Sequence, residues 1–193
     1  MSNARLAASA AVVPRCFVAL WPDAAARRAL AALTGVLHAA NPGVRPVTAA
    51  NLHCTLAFIG ALSAPRAAAL AWRLRRIAVP PLVWRLDHLG WFAGARVLWI
   101  GGDDDAAITA LAQEVRTVLD EAGIAYDRKP FVAHVTLARN LRTPPVLPVG
   151  VPALRPIFCA LAVPELAVSE RDVSGTLRYR PWGATSPACK PDG

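Results

Sequence analysis

Hydrophobic positions along the chain recur with two periods, and their order predicts a mixture of strands and helices. Apolar runs, several of them alternating, predict strands at 15–20, 52–59, 131–139, 157–169 and 176–179, and a hairpin from 83–89 and 96–100 around a Gly-containing turn. Alanine-rich segments predict helices at 23–40, 65–77 and 103–122. Because these elements do not follow a regular β-α-β alternation, we expect an α+β fold with mainly antiparallel pairing.

Residues with known capping preferences lie at the ends of the predicted helices. Asp23 and Ser63 are suitable N-caps for the first two helices, and Gly123 is a suitable end for the third. The acidic triplet at 103–105 opens the third helix, where negative charge is favourable. We therefore interpret the triplet as part of a helix end and not as a metal site.

Length and hydropathy limit how the chain is organised. Its 193 residues suit one ordinary domain or two small lobes. The longest apolar runs fall short of the roughly 20 residues that a membrane span requires, so we expect no membrane association. We predict a single domain over 15–182 with disordered tails at 1–14 and 183–193, and the order of elements indicates two similar halves.

Charge and cysteine usage add two expectations. The chain has 21 basic and 13 acidic residues, a net charge of +8, which favours anionic partners such as phosphates or nucleic acid. Nearly all of the cations are arginine, and a GC-rich genome explains that excess equally well. The four cysteines form no C-x-x-C pair, so we expect reduced thiols and a cytoplasmic location.

A repeated motif, His-x-Thr-Leu-Ala, carries the most informative chemistry. It occupies 53–57 and, 81 residues later, 134–138, each time within a predicted strand. Residues i and i+2 of a strand project from one face, so each histidine shares a face with its threonine, Thr55 or Thr136. If each lobe carries one motif and the lobes pair about a pseudo-twofold axis, both histidines and both threonines meet in one cleft.

Paired imidazoles suit acid–base chemistry at a phosphodiester. One of His53 and His134 can remove a proton from the attacking group while the other, protonated, delivers a proton to the leaving group. The threonine hydroxyls can donate hydrogen bonds to the non-bridging phosphate oxygens, and this chemistry requires no metal or cofactor. A zinc site is disfavoured because neither histidine has an acidic or cysteine partner at ligand spacing. His38 and His88 lack such a context, and we interpret them as structural or surface residues.

On these motifs, the sequence resembles the two-histidine phosphoesterase superfamily, and within it the RNA 2′,3′-cyclic phosphodiesterases first described as 2′-5′ RNA ligases. The resemblance covers most of the chain, including the segments 15–20, 51–60, 89–100 and 131–139. Ala57 stands where a basic or large residue is common in the family, and Ala133 stands where proline usually precedes the second histidine. Neither departure removes a catalytic group.

The resemblance implies a bilobal fold whose two pseudo-symmetric lobes each carry a mainly antiparallel sheet with flanking helices, around an active-site cleft. It implies metal-independent hydrolysis of an RNA or nucleotide 2′,3′-cyclic phosphate to a 2′-phosphomonoester, with His134 as the base and His53 as the acid at O3′. It also suggests base stacking by Phe58 and phosphate pairing by Arg139, each five residues after its histidine. An offset of five reverses the face of a regular strand, so both roles require a bulge or a strand end after the threonines. Core packing is the alternative for Phe58.

Other functions are open at this point. The same cleft suits 2′-5′ RNA ligation, or a phosphodiesterase acting on another 2′-5′ or small cyclic phosphate substrate, because the motif specifies phosphodiester chemistry and not the base or chain length. The non-enzymatic alternative is an RNA-binding module that uses the basic surface. We expect RNA ends or nucleotide cyclic phosphates as ligands, a monomer, and no obligatory protein partner. The pattern assigns no role to Ser169, Tyr179 or Arg180.

Overall fold

The computed structural model describes residues 11–79, 81, 83–102, 106–147, 156–160 and 162–183. Within them the chain forms the strands Val12–Leu20 (β1), Arg45–Pro46 (β2), Cys54–Ser63 (β3), Val83–Leu86 (β4), His88–Phe92 (β5), Val97–Gly101 (β6), Val135–Arg139 (β7), Ile157–Ala160 (β8), Glu165–Arg171 (β9) and Leu177–Pro181 (β10). The helices are Ala24–Ala40 (α1), Ala64–Leu74 (α2) and Ala106–Glu121 (α3), and a 3-10 turn spans Ala49–Asn51. Most of the predicted tails and the acidic triplet at 103–105 lie outside the described residues.

Eight of these strands form one sheet in the order β10-β9-β1-β3-β7-β6-β5, with β2 added beside β7. A separate two-stranded sheet joins β4 to β8. Every pairing is antiparallel, which confirms the α+β class. The two predicted lobes are the strand groups on either side of the β3–β7 junction, so their sheets are continuous with each other.

The helices pack against one face of the sheet. Alternate residues of β1, such as Cys16 and Val18, point into the main core together with Leu30 of α1, Leu70 of α2 and Val115 of α3. The side chains of the intervening residues of β1 point to the opposite face of the sheet, as expected from the period of two. Phe17, Ala19 and Ala167 form a small second cluster there. The face without helices is therefore left available for the cleft.

The structure shows how the predicted helix ends are formed. The Asp23 carboxylate accepts hydrogen bonds from the backbone N–H groups of Ala25 (2.8 Å) and Ala26 (3.0 Å), which confirms it as the N-cap of α1. Gly123 follows α3 with φ +59, a left-handed conformation that glycine adopts without steric cost. Ser63 precedes α2 but makes no side-chain capping bond.

Several strand boundaries differ from the prediction. β3 spans Cys54–Ser63 instead of 52–59 and β7 begins at Val135 instead of 131, so His53 and His134 directly precede their strands instead of lying within them. β1 begins at Val12, three residues early, because Val12 and Val13 pair with the end of β3. The segment 83–89 is divided at Asp87, a poor strand former, so β4 pairs with β8 and only β5 forms the hairpin with β6. The segment 157–169 is divided before Glu165, where Pro164 has no N–H to donate to a ladder.

None of the helices in the described part of the chain is both long enough and apolar enough to cross a membrane.

Candidate active site

The two His-x-Thr motifs lie side by side at the junction of the two lobes. Cys54 of β3 is the antiparallel partner of Val135 of β7, and both side chains are buried in the core. Each of these residues is the x of its motif. Continuing the register by one residue in each direction sets His53 opposite Thr136 and Thr55 opposite His134, all on the face that lacks helices. The structure thus places both predicted histidines and both predicted threonines on the same face of the two paired strands.

This register fixes the arrangement of the four side chains. Adjacent strands are roughly 5 Å apart and residues i and i+2 roughly 7 Å apart, so the four Cα atoms approximate the corners of a rectangle. The histidines occupy one diagonal and the threonines the other. A local twofold axis passes through the Cys54–Val135 pair and relates the two motifs, so one histidine comes from each strand.

Both strands carry a bulge at the same position after the motif. On β3, Thr55 and Ala57 pair with consecutive residues of β1, which leaves Leu56 without a partner. On β7, Thr136 and Ala138 likewise pair with consecutive residues of β6, which leaves Leu137 without one. An extra residue reverses the side-chain alternation, and the bulge required by the offset of five is therefore present in both lobes.

The bulges turn Phe58 and Arg139 to the open face. The Phe58 side chain is 50% exposed, so it is not part of the core, the alternative that the sequence had left open. It lines a cleft of about 170 Å³ together with His53, Thr55, Tyr179, Ser169 and Arg139. We call this the aromatic cleft. Arg139 also lines the neighbouring cleft described below, so it stands between the two.

The second cleft is larger, at about 510 Å³, and it begins at His53 and Thr136. Three arginines line it: Arg45, Arg139 and Arg171. We call it the arginine cleft. None of the described residues that line either cleft is acidic. The site is therefore cationic and suits an anionic ligand.

His53 is held in one tautomer by its hydrogen bonds. Its Nδ1–H donates to the backbone carbonyl of Asn51 at 2.7 Å, which leaves Nε2 as the free lone pair of the neutral ring. The Thr55 hydroxyl lies 3.0 Å from that Nε2. Three aromatic rings surround the imidazole, with centroids 5.0 Å (Phe17), 5.5 Å (Trp21) and 5.0 Å (Tyr179) away. The reactive nitrogen therefore points into the cleft from an apolar setting.

His134 repeats this arrangement in the other lobe. Its Nδ1 lies 2.8 Å from the carbonyl oxygen of Val132, two residues earlier, as in the first motif. Phe92 meets the ring edge-on at 5.1 Å, and Trp99 lies 6.0 Å away. This hydrogen bond is solvent-exposed, whereas the corresponding bond of His53 is part-buried. Water thus reaches His134 more readily than His53.

Burial lowers the pKa of both histidines. The pKa of His53 is lowered from 6.5 to about 4, first by burial and then by the positive charges of Arg139 and His134. The pKa of His134 is lowered by burial and by Arg139. Both rings are therefore neutral in the free protein at neutral pH. A bound anion would oppose the charge of Arg139 and raise both pKa values.

Two residues that the sequence did not assign complete the site. The Asn51 amide joins β10 to the first motif, because its Nδ2 donates to Leu177 O (2.8 Å) and its Oδ1 accepts from Tyr179 N–H (3.0 Å). The same residue supplies the carbonyl that orients His53. Tyr179 in turn packs its ring against His53. In the sequence, the only indication of a role for Asn51 was its position two residues before His53.

The other residues considered from the sequence lie apart from this constellation. His88 packs its ring 6.1 Å from Trp99. Arg180 forms a salt bridge with Glu170 at 2.7 Å. In the part of the chain that the structure describes, no three His, Cys, Asp or Glu side chains are grouped so that they could hold a metal ion.

Comparison with known proteins agrees with the family resemblance of the sequence. The sequence matches the family described as LigT like Phosphoesterase over residues 20–99. A relative from Archaeoglobus fulgidus, named RNA 2′,3′-cyclic phosphodiesterase, is 32% identical over 134 residues, which are 68% of this chain and 75% of the relative. The chain belongs to the LigT-like phosphoesterase family. Its bulged His-x-Thr strands are therefore features of a LigT-like phosphoesterase.

Two further relatives of this LigT-like chain come from Escherichia coli. A protein of strain K12 named RNA 2′,3′-cyclic phosphodiesterase is 37% identical over 97 residues, covering 50% of this chain and 55% of the relative. In that alignment, the chain spans only about half the length of the relative. The crystal structure of E. coli LigT complexed with 3′-AMP superposes with a TM-score of 0.74 at 30% identity, covering 88% of this chain and 95% of that one.

Proposed function

We propose that the protein hydrolyses an RNA or nucleotide 2′,3′-cyclic phosphate to a 2′-phosphomonoester without a metal ion. The crosswise pairing of His53 with Thr136 and of His134 with Thr55 carries this proposal. It supplies one imidazole on each side of a central phosphate and one hydroxyl donor beside each. The names of the relatives, RNA 2′,3′-cyclic phosphodiesterases, support the same substrate class.

In the proposed reaction, water attacks phosphorus from the side of His134. The Nε2 of His134 accepts a proton from the water as the new P–O bond forms. The bond from phosphorus to O3′ breaks on the opposite side, and His53 Nε2–H donates its proton to the departing O3′. The phosphate stays on O2′. Afterwards His134 carries the additional proton and His53 lacks one, and exchange with solvent restores both.

The assignment of acid and base follows the family resemblance, and the access of water to His134 is consistent with it. The hydrogen bond of His134 is open to solvent, so water can reach this ring. His53 has a pKa of about 4 in the free protein, mainly through burial, so it needs the substrate's negative charge to hold a proton at neutral pH. Substrate binding thus prepares the acid.

Thr55, Thr136 and Arg139 would stabilise the charge that develops on the non-bridging oxygens. The two hydroxyls donate from opposite strands, and the guanidinium adds a cation that lies between the two clefts. Phe58 would stack on the base, because its exposed ring lines the aromatic cleft beside His53. With these roles, the base, the phosphate and the departing O3′ of a terminal nucleotide each have a partner in the site.

The proposal is tested by incubating the protein with adenosine 2′,3′-cyclic phosphate in excess chelator and identifying the product. We expect 2′-AMP, with loss of activity on the order of 100-fold to 10,000-fold for His53→Ala and for His134→Ala. His88→Ala is the matched control and should retain activity. Strict dependence on an added divalent metal would contradict the mechanism. Binding of RNA without turnover, unchanged in His53→Ala, would favour the RNA-binding alternative.

Further properties of the protein belong to the same proposal. We propose that it acts as a monomer in the cytoplasm, without an obligatory protein partner or a cofactor. Joining of RNA ends through a 2′-5′ linkage is the same transfer with a 5′-hydroxyl in the place of water. The 5′ oxygen bonds to phosphorus as the bond to O3′ breaks, O3′ takes up a proton, and the phosphate stays on O2′. The test is the same reaction supplied with a second RNA strand that ends in a 5′-hydroxyl.

A further inference from the structure

The arginine cleft contains more positive charge than one cyclic phosphate requires. Arg45 of β2 is the direct cross-strand partner of Arg139 of β7, so two guanidinium groups start from neighbouring backbone positions. Like charges at such positions repel each other. Among the described residues, neither arginine forms an ion pair, and no acidic side chain lines the cleft.

A third arginine enters the same cleft from the opposite edge. Arg171 ends β9, and its Nη1 donates to the carbonyl of Gly175 at 2.6 Å, which anchors the side chain to the β9–β10 loop. The neighbouring Arg178 is neutralised by Asp172 at 2.9 Å and Arg180 by Glu170 at 2.7 Å. Arg171 has no such acidic partner among the described residues. The cations without acidic partners thus face the cleft, while nearby arginines are paired.

The arginine cleft includes His53 and Thr136 of the reacting centre and extends beyond the aromatic cleft. Phe58 and Tyr179 line the smaller aromatic cleft, and Arg45 and Arg171 line only the larger one. Arg139, His53 and Tyr179 are among the residues shared by the two clefts. If Arg139 serves the cyclic phosphate, as proposed above, Arg45 and Arg171 are available for another anion. The cleft volume of about 510 Å³ is sufficient for a further nucleotide unit.

We propose that Arg45 and Arg171 form a subsite for a second RNA backbone phosphate, in addition to the one that reacts. This inference rests on the proposed function and predicts that the protein prefers oligonucleotide ligands to mononucleotides. The second phosphate has two possible sources with the same chemistry. It belongs either to the strand that ends in the cyclic phosphate or to a separate strand that presents a 5′-hydroxyl.

The test compares three ligands in wild type, Arg45→Gln and Arg171→Gln. Adenosine 2′,3′-cyclic phosphate has no second phosphate, the dinucleotide ApA with a terminal 2′,3′-cyclic phosphate has one in the same strand, and plain ApA supplies one in a separate strand as an inhibitor. Arg28→Gln is the matched control, because Arg28 is exposed on α1 and lines neither cleft. It removes the same charge without touching the site.

If the phosphate comes from the same strand, Arg45→Gln should raise KM for the dinucleotide cyclic phosphate about tenfold and leave KM for the mononucleotide unchanged. If it comes from a separate strand, the variants should instead weaken inhibition by ApA by a similar factor. Equal effects on all three ligands, or no effect on any, would overturn the subsite. A wild-type protein that converts neither cyclic phosphate would contradict the proposed function itself, and the subsite with it.

Discussion

Lowering the pH from 7 to 5 should destabilise the free protein through His53. Burial among Phe17, Trp21 and Tyr179 lowers its pKa from 6.5 to about 4 in the folded state. The unfolded chain therefore takes up this proton first as the pH falls. The stabilisation is fully present above about pH 6.5 and is lost progressively towards pH 4. Between pH 7 and pH 5, this linkage amounts to about 2 kcal/mol of unfolding free energy.

Urea denaturation at the two pH values measures this effect, with His53→Gln as the control that cannot titrate. The wild type should lose about 2 kcal/mol more than the variant between pH 7 and pH 5. An NMR titration of the imidazole in the free protein should also give a pKa near 4, and bound 2′-AMP should raise that pKa. Equal pH dependence of the two proteins, together with a pKa near 6.5, would refute the reasoning.

Four substitutions give further tests. Thr55→Val and Thr136→Val keep the β-branched shape and delete the hydroxyl, so each should reduce kcat/KM on the order of 10-fold to 1000-fold while the protein still folds; full activity would exclude the phosphate contact. Asn51→Ala leaves Leu177 O and Tyr179 N–H without their partner, so it should lower the unfolding free energy measured in urea by about 2 kcal/mol and reduce activity. Unchanged stability would show that these two hydrogen bonds do not hold β10 to the first motif. Phe58→Leu should raise KM for adenosine 2′,3′-cyclic phosphate roughly tenfold but not for a ribose cyclic phosphate without a base; equal changes would exclude stacking.

The sequence was sufficient to predict which side chains of each motif share a face, because the motifs are local. A period of two puts each histidine and threonine on one face whatever the neighbouring strand is. The partner of that strand cannot be deduced locally, since Cys54 and Val135 are far apart in the chain. The crosswise arrangement of the four side chains is therefore information that only the folded sheet contains.

The strand bulges could be predicted from the sequence in part, whereas the pairing of Arg45 could not. The equal offsets of Phe58 and Arg139 indicated that the strands must be irregular, and the register shows the extra residue at Leu56 and Leu137. By contrast, nothing local indicated that Arg45 would pair with Arg139. Its strand has only two residues and contains a proline, a residue depleted in strands. The composition of the arginine cleft depends on that unpredicted pairing.

The central claim is that the two histidines act on opposite sides of the phosphate, with His53 as the acid for O3′ and His134 as the base. The most direct test uses a nucleoside cyclic phosphate in which sulfur replaces the bridging 3′ oxygen, because a thiolate leaves without a proton. His53→Ala should recover most of its lost rate with this substrate, and His134→Ala should remain slow. Equal recovery of both variants, or recovery of His134→Ala alone, would contradict the assignment.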